Sequence, residues 1–264
     1  MTDIMKNEQQ YPNSTIKTLL NRRTIRAFAP TPISDERREI LELAAQRAPT
    51  SSFDNAWSAI RVTDKALAEK IAAIGKQKYI AEAPLLYVFV VDTHRNARIA
   101  AEKGVPADDA VAFAQQYTYN QAHDDAVLAL DAMQTAAESM GLGVVLLGSI
   151  LNDMPQLVKL LHLPSLVFPV LGIAIGEPDQ SPALKPRMDR SRQIFENRYP
   201  EDSETESMVE ALASFDEAVH QYYDLRDTKK PVDRFTDQIA AKATNPAPAT
   251  KPFAKYAKEQ GFKF

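Results

Sequence analysis

The stretch Gly141-Leu142-Gly143-Val144-Val145-Leu146-Leu147-Gly148-Ser149 separates two fold classes. Its glycines suggest a dinucleotide-binding loop, in which Gly-x-Gly-x-x-Gly leaves a strand and opens a helix. The third glycine of that pattern would stand at position 146, which is leucine. The context is also reversed. Upstream, Ala122, Ala126, Leu130, Met133, Ala137 and Met140 recur at helical spacing over Gln121 to Met140, with Asp124, Asp125 and Asp131 off that stripe. Gly141 suits the C′ position of this helix, and Gly143 to Leu147 reads as a strand. The motif therefore leaves a helix and enters a strand, which rejects a Rossmann unit. A strand that ends on Gly148-Ser149 still lets a flat ring approach its backbone closely.

Working outward, Asn152 to Leu161 reads as a helix capped by Asn152 or Asp153. Phe168 to Ile175 is a strand stopped by Gly176-Glu177-Pro178. Pro84 to Val91 is a continuous apolar run, as expected of a strand buried on both faces. Ala59 to Thr63 is a further strand, followed by a helix from Thr63 or Asp64 through Ile74. Ser34, with Asp35 and Glu36 behind it, opens a helix whose apolar stripe is Ile40, Leu41, Ala44 and Ala48. Asn13 or Ser14 opens a short helix through Leu20. Gly104 to Tyr119 contains a helical piece and is a candidate lid. Beyond position 200, Glu204 to Tyr223, Phe235 to Ala243 and Phe253 to Gln260 read as helices, the last reached through the Pro-rich Asn245 to Thr250. Strands alternating with helices predict an α/β or α+β sandwich. The helical arm at the end wraps the core or a partner subunit.

The bulk composition narrows the function. A net charge of −4 argues against a nucleic-acid coat or a basic membrane-surface protein. The chain has no cysteine, so disulfides, thiolate nucleophiles and iron–sulfur clusters are excluded, and a reducing cytoplasm suits it. Met1 to Pro12 is polar and unlike a secretory leader. The apolar runs Ala83 to Val91 and Leu166 to Ile175 are too short to span a membrane. His94, His123, His162 and His220 stand at no metal-ligand spacing, so no metal is expected.

Three clusters carry candidate chemistry. Arg22, Arg23 and Arg26 flank Thr24 where a helix ends, and guanidinium matches a phosphate in two parallel hydrogen bonds. The same residues also suit a solvated helix end. Lys185-Pro186-Arg187 places two cations on one side of a stiffened segment, or forms an ordinary surface loop. A shared phosphate would explain both clusters, which are widely separated in sequence. Thr50, Ser51 and Ser52 offer consecutive hydroxyls to a polar ring edge or ribityl chain, or make an ordinary loop.

Taken in order, Arg22-Arg23-Thr24-Ile25-Arg26, Ala48 to Phe53, Gly75-Lys76-Gln77-Lys78, Gly141 to Ser149 and Lys185-Pro186-Arg187 resemble the FMN-dependent nitroreductase family. The nearest branch is the group A, oxygen-insensitive, NADPH-preferring nitroreductases and flavin reductases. The likeness runs from about Thr15 to Phe253. It implies a three-layer α-β-α fold of the α+β class with a central mixed sheet. An FMN-binding core would occupy 1–200 and a helical extension 201–264, in an obligate-type homodimer with FMN at the interface. Arg22, Arg23, Thr24, Lys185 and Arg187 fall where the family holds the FMN phosphate, and Arg26 on the basic position facing the pyrimidine edge. Thr50, Ser51 and Ser52 match a serine-rich loop reaching FMN from the other subunit. Gln77 matches a side chain that bonds the ring, and Leu147, Gly148 and Ser149 the opposite side of it. Phe53, Arg226, Lys229 and Lys230 fall on the substrate and nicotinamide side.

The implied activity is two-electron, ping-pong transfer from NADPH or NADH to nitroaromatics, quinones or related small aromatic acceptors. A free-flavin reductase, an azoreductase and a non-catalytic flavin module share the pattern. The departures are Arg22 where histidine is frequent, Pro49 and Thr50 in the serine loop, and a long Lys103 to Tyr119 segment.

Overall fold

The computed structural model describes residues 11–106, 109–222 and 232–264. The chain order is α1 (Ser14–Leu20), α2 (Asp35–Gln46), β1 (Trp57–Arg61), α3 (Lys65–Gly75), α4 (Tyr79–Glu82), β2 (Leu85–Asp92), α5 (His94–Glu102), α6 (Gln116–Ser139), β3 (Gly143–Leu147), α7 (Met154–Leu160), β4 (Val167–Gly176), α8 (Met208–Ala211), α9 (Ala213–Gln221), α10 (Phe235–Ala243) and α11 (Phe253–Glu259). Short polar side chains fix four of the helix starts. Asn13, Ser34, Asp64 and Asp153 each accept a hydrogen bond from the first turn of α1, α2, α3 and α7.

Two expectations shift. β1 lies at Trp57–Arg61 rather than 59–63, because Trp57 pairs with Val91 and the ring stacks on Phe89. α5 has no counterpart in the sequence reading. It is short and amphipathic, and none of its residues is buried.

The sheet order is β1-β2-β4-β3, and every pair of neighbours is antiparallel. A parallel bridge joins Thr24 to Val144 of β3 and gives the sheet its mixed character, and a second parallel bridge joins Gln115 to Lys263 away from the four strands. Alternation along β2 makes the three layers. Leu85, Tyr87 and Phe89 pack with Leu41 of α2 and with Leu130 and Met133 of α6. Leu86, Val88 and Val90 pack with Ile71 of α3 and Leu157 of α7. Hence β2 reads as an unbroken apolar run: both faces are covered.

Two helix faces differ from the sequence reading. On α2 the buried positions are Leu41 and Ala45, while Ile40 and Leu43 are exposed. On α6, Asp125 is 1% exposed, although it sits off the apolar stripe.

The contacts divide the chain into two compact units. One comprises 24–181 and 251–264, and contains the sheet. Within it the segment from Lys251 returns to the core. Lys263 bridges to Gln115, its N–H donates to the Ala114 carbonyl at 2.7 Å, and Phe262 is buried against Tyr119. The other unit runs up to Arg23 and resumes over 182–250. In it, Asp216 of α9 accepts from the Thr236 N–H (2.9 Å) and hydroxyl (2.5 Å) at the start of α10, and Phe215 meets Phe235. The Thr236 hydroxyl bond draws the Asp216 carboxyl below its usual range. The helical stretch expected over 201–264 is therefore shared between the two units.

Gly143 shows why the glycine motif reads as it does. The Ile25 N–H donates to the Val144 carbonyl at 2.9 Å, and a Cβ on Gly143 would lie 2.7–2.9 Å from Ile25 side-chain carbons. Gly143→Ala should therefore lower stability by about 1–3 kcal/mol through overpacking. The urea midpoint reads this, and an unchanged midpoint would show that Ile25 yields without cost.

Candidate functional site

Arg22 and Arg23 follow the C-cap of α1, Asn21, in the same compact unit as Lys185 and Arg187. Arg22 and Arg23 thus share a unit with Lys185 and Arg187, while Thr24 and Arg26 belong to the sheet-bearing one. Arg23, Lys185 and Arg187 are exposed. The Arg23 guanidinium donates to the Asn21 carbonyl at 3.1 Å, and Arg187 donates to the carbonyls of Lys185 and Pro186 at 3.2 Å. Among the described residues, Arg23, Lys185 and Arg187 have no carboxylate partner. In the same unit Arg198 pairs with Glu204 at 2.7 Å. Arg23, Lys185 and Arg187, exposed and without a carboxylate partner among the described residues, fit a phosphate dianion by their donor chemistry.

In the sheet-bearing unit, Thr24 is held by its bridge to Val144, and Arg26 lies just beyond it. The Gln180 side-chain carbonyl accepts from the Arg26 and Ala27 N–H groups at 2.5 and 2.7 Å. This fixes the backbone and leaves the half-buried Arg26 guanidinium without a hydrogen bond or ion pair among the described residues. Gln180 escaped the sequence reading, because a lone glutamine in a loop carries no local signal.

Gln77 is the most constrained of the expected ring contacts. α3 ends at Gly75, Lys76 turns left-handed (φ 54°), and the Gln77 N–H returns to the Ala72 carbonyl at 3.1 Å. The Gln77 side-chain oxygen accepts two hydroxyls, from Tyr79 at 2.7 Å and Ser149 at 2.8 Å. With its carbonyl occupied, the amide presents its nitrogen as donor. Gly75 makes room for this. A Cβ there would lie 3.1 Å from the Ser149 hydroxyl and 2.6 Å from Ile80. Tyr79 was not read from sequence as part of the site.

Leu147 enters differently from expectation. Its side chain is 1% exposed and packs in the core with Val88 and Ile150, so only its backbone is free to face a ring. Gly148 beside it is exposed.

Ser51 to Phe53 form a single tight turn, with Ser52 and Phe53 at positive φ (52° and 60°). The Ser51 N–H donates to Asp125 Oδ1 at 2.8 Å, and the Phe53 side chain is 85% exposed at the tip. Arg226, Lys229 and Lys230 lie outside the described residues. A groove of about 560 Å³ between β1, β2 and α5, lined by Ser58, Asp92, Arg95 and Ile99 among others, holds none of these expected residues.

The nitroreductase family matches residues 19–177, and the C-terminal domain of the same family matches 185–264. An FMN reductase (NADPH) of Bacillus subtilis is 32% identical over 95% of this chain and 98% of its own length. An oxygen-insensitive NADPH nitroreductase of Salmonella typhimurium is 35% identical over 85% of this chain and 89% of its own. The solved NADPH:FMN oxidoreductase of Vibrio harveyi, complexed with NAD+, superposes with a TM-score of 0.79 at 29% identity, over 93% of this chain and 98% of that one. With matches spanning nearly its whole length, and a glycine-rich helix-to-strand turn in place of a dinucleotide loop, this chain belongs to the nitroreductase family.

Proposed function

We infer that this protein is an FMN-dependent NAD(P)H oxidoreductase that reduces nitroaromatics, quinones or related small aromatic acceptors by two-electron, ping-pong transfer. The observation that carries the reading is the Gln77 amide, clamped by the Tyr79 and Ser149 hydroxyls with its nitrogen left to donate. The oxygens and nitrogens of an isoalloxazine edge accept such a donor. When bound, FMN supplies the hydride acceptor and the two-electron donor in turn.

The chain's residues bind and orient. Arg22, Arg23, Thr24, Lys185 and Arg187 are assigned to the phosphate, which needs several charge-assisted donors. Arg26 puts its guanidinium beside the pyrimidine edge, where charge gathers on reduction. Thr50, Ser51 and Ser52 bond the cofactor, and Gly148 with the Leu147 backbone and Ser149 lets the ring approach. Phe53, Arg226, Lys229 and Lys230 are assigned to the acceptor and the nicotinamide. The names of the relatives support NADPH over NADH.

A homodimer with FMN at the interface is supported by exposed apolar side chains on the packed pair α2 and α6, namely Ile40, Leu43 and Leu128. Among the described residues no helix is long and apolar enough to cross a membrane. A cytoplasmic location is inferred from the cysteine-free chain.

The Bacillus relative, an FMN reductase by name, favours free flavin as a second acceptor class. The purified protein should be yellow and bleach anaerobically with NADPH. Restoring its colour with a nitroarene, a quinone or free FMN ranks the acceptors. Arg26→Ala should stay yellow but bleach at least about tenfold more slowly, from the loss of roughly 1.4 kcal/mol or more of charge stabilisation. A colourless protein that takes up no added FMN would sink the reading.

A further inference from the structure

The turn that carries Thr50, Ser51 and Ser52 is an unfavourable piece of backbone. Ser52, Phe53 and Asn55 all sit at positive φ, at 52°, 60° and 49°. Each is an unfavourable conformation for an L-residue other than glycine. Such a conformation persists only where its surroundings hold it, and here it is gripped from two sides. From α5, the Asn96 amide donates to the Asp54 carbonyl at 3.0 Å, and the Arg95 guanidinium donates to the carbonyls of Asn55 and Trp57. From α6, Asp125 Oδ1 accepts the Ser51 N–H at 2.8 Å.

Asp125 is an unusual residue for its place. It occupies a face of α6 that is otherwise buried mainly through alanines, leucine and methionine. Its Oδ2 is buried and has no hydrogen-bond partner among the described residues. An idle buried carboxyl oxygen is costly, and an apolar residue would fill the space without that cost. The gain that balances it is the Ser51 amide, 74 positions away. Burial raises the carboxyl above its ordinary range. The bonds from Ser51 oppose that shift, and the nearby Asp54 and Asp124 add to it.

We propose that Asp125 is a positioning residue for flavin binding: from the central helix it fixes the Ser51 amide, and so sets the turn that presents Thr50, Ser51 and Ser52 to the cofactor and Phe53 outward. The proposal rests on the assignment of this turn to the flavin. Asp125 touches neither flavin nor acceptor. It acts through the backbone, with Asn96 holding the far side of the same turn.

The test is FMN titration of the flavin-stripped protein, followed by flavin fluorescence, together with hydrogen exchange at the Ser51 amide. Asp125→Ala should raise the FMN Kd about tenfold or more and speed exchange at Ser51. Asp125→Asn keeps an oxygen acceptor and should stay within about threefold of the parent, about 0.65 kcal/mol. If Asp125→Ala does not fold, Asp125→Leu fills the site without a polar atom and takes its place. Thr50→Ala and Ser52→Ala report on the turn itself. If they weaken FMN while Asp125→Ala binds within about twofold of the parent, the role of Asp125 is overturned and the turn's contact with flavin stands. If neither they nor Asp125→Ala change the Kd, the turn does not touch flavin and the proposal falls with that assignment. A Ser51 amide that exchanges freely in the parent protein also overturns it.

Discussion

Phe262→Ala is expected to lower stability by about 3–5 kcal/mol, the usual range for deleting a buried phenylalanine side chain. Phe262 is 2% exposed, and its ring lies edge-on to Tyr119 at 4.9 Å. Tyr119 is a hub. Phe264 approaches it at 5.0 Å and Phe253 at 5.8 Å, while Phe253 also meets Phe168 at 5.4 Å. Truncating Phe262 removes one wall of this cluster and leaves a cavity beside the Tyr119 ring. The Tyr119 hydroxyl is buried without a hydrogen-bond partner among the described residues. For a chain of this size the loss corresponds to a thermal midpoint lower by roughly 10 °C. Because α11 is tied to the core through Phe262, the variant should also be cleaved by protease within 251–264 earlier than elsewhere. A loss below about 1 kcal/mol would mean that the cluster repacks, and would refute the role given to Phe262.

The second large effect concerns the phosphate cations. Arg23→Ala combined with Arg187→Ala should raise the FMN Kd at least about a hundredfold, since each charge-assisted bond is worth about 1.5–3 kcal/mol. The unliganded protein should unfold at nearly the parent's midpoint, because neither guanidinium has a carboxylate partner among the described residues to lose. Arg198→Ala is the internal control. That arginine is already neutralised by Glu204 at 2.7 Å, so its loss should leave FMN affinity unchanged. The measurement is equilibrium titration at two salt concentrations, since the charge contribution weakens as salt rises. An equal loss of affinity in the double variant and in Arg198→Ala would show a general field rather than a phosphate site.

Much of the fold is legible because its signals are local. Ser34 and Asp64 cap helices within three residues of themselves, and β2 reads as apolar throughout because helices cover both its faces. What escaped depends on distant partners. Asp125 looks like a solvated position on a helical wheel, and only Ser51 explains its burial. Gln77 was placed by family order alone. Its orientation follows from Ser149, 72 positions away, and from Tyr79. Leu147 stood in a segment read as lining the ring, but strand alternation turns its side chain into the core. α5 is amphipathic, but it is short and buries none of its residues, so it reads as a polar connection. Arg22, Arg23, Lys185 and Arg187 were linked by chemistry, through an anion that both clusters require. Their membership of one compact unit is a matter of topology, which spacing along the chain does not encode.

The return of 251–264 to the sheet-bearing unit has a consequence for biosynthesis. That unit lacks its last wall until 182–250 has been translated, which at ~5–20 residues per second takes on the order of several seconds. Throughout that interval Tyr119 and Phe168 are without the aromatic rings that cover them in the finished fold. A nascent chain in this state offers a ready apolar surface to chaperones. Messages with slow codons between 182 and 250 should lengthen that engagement without altering a single residue.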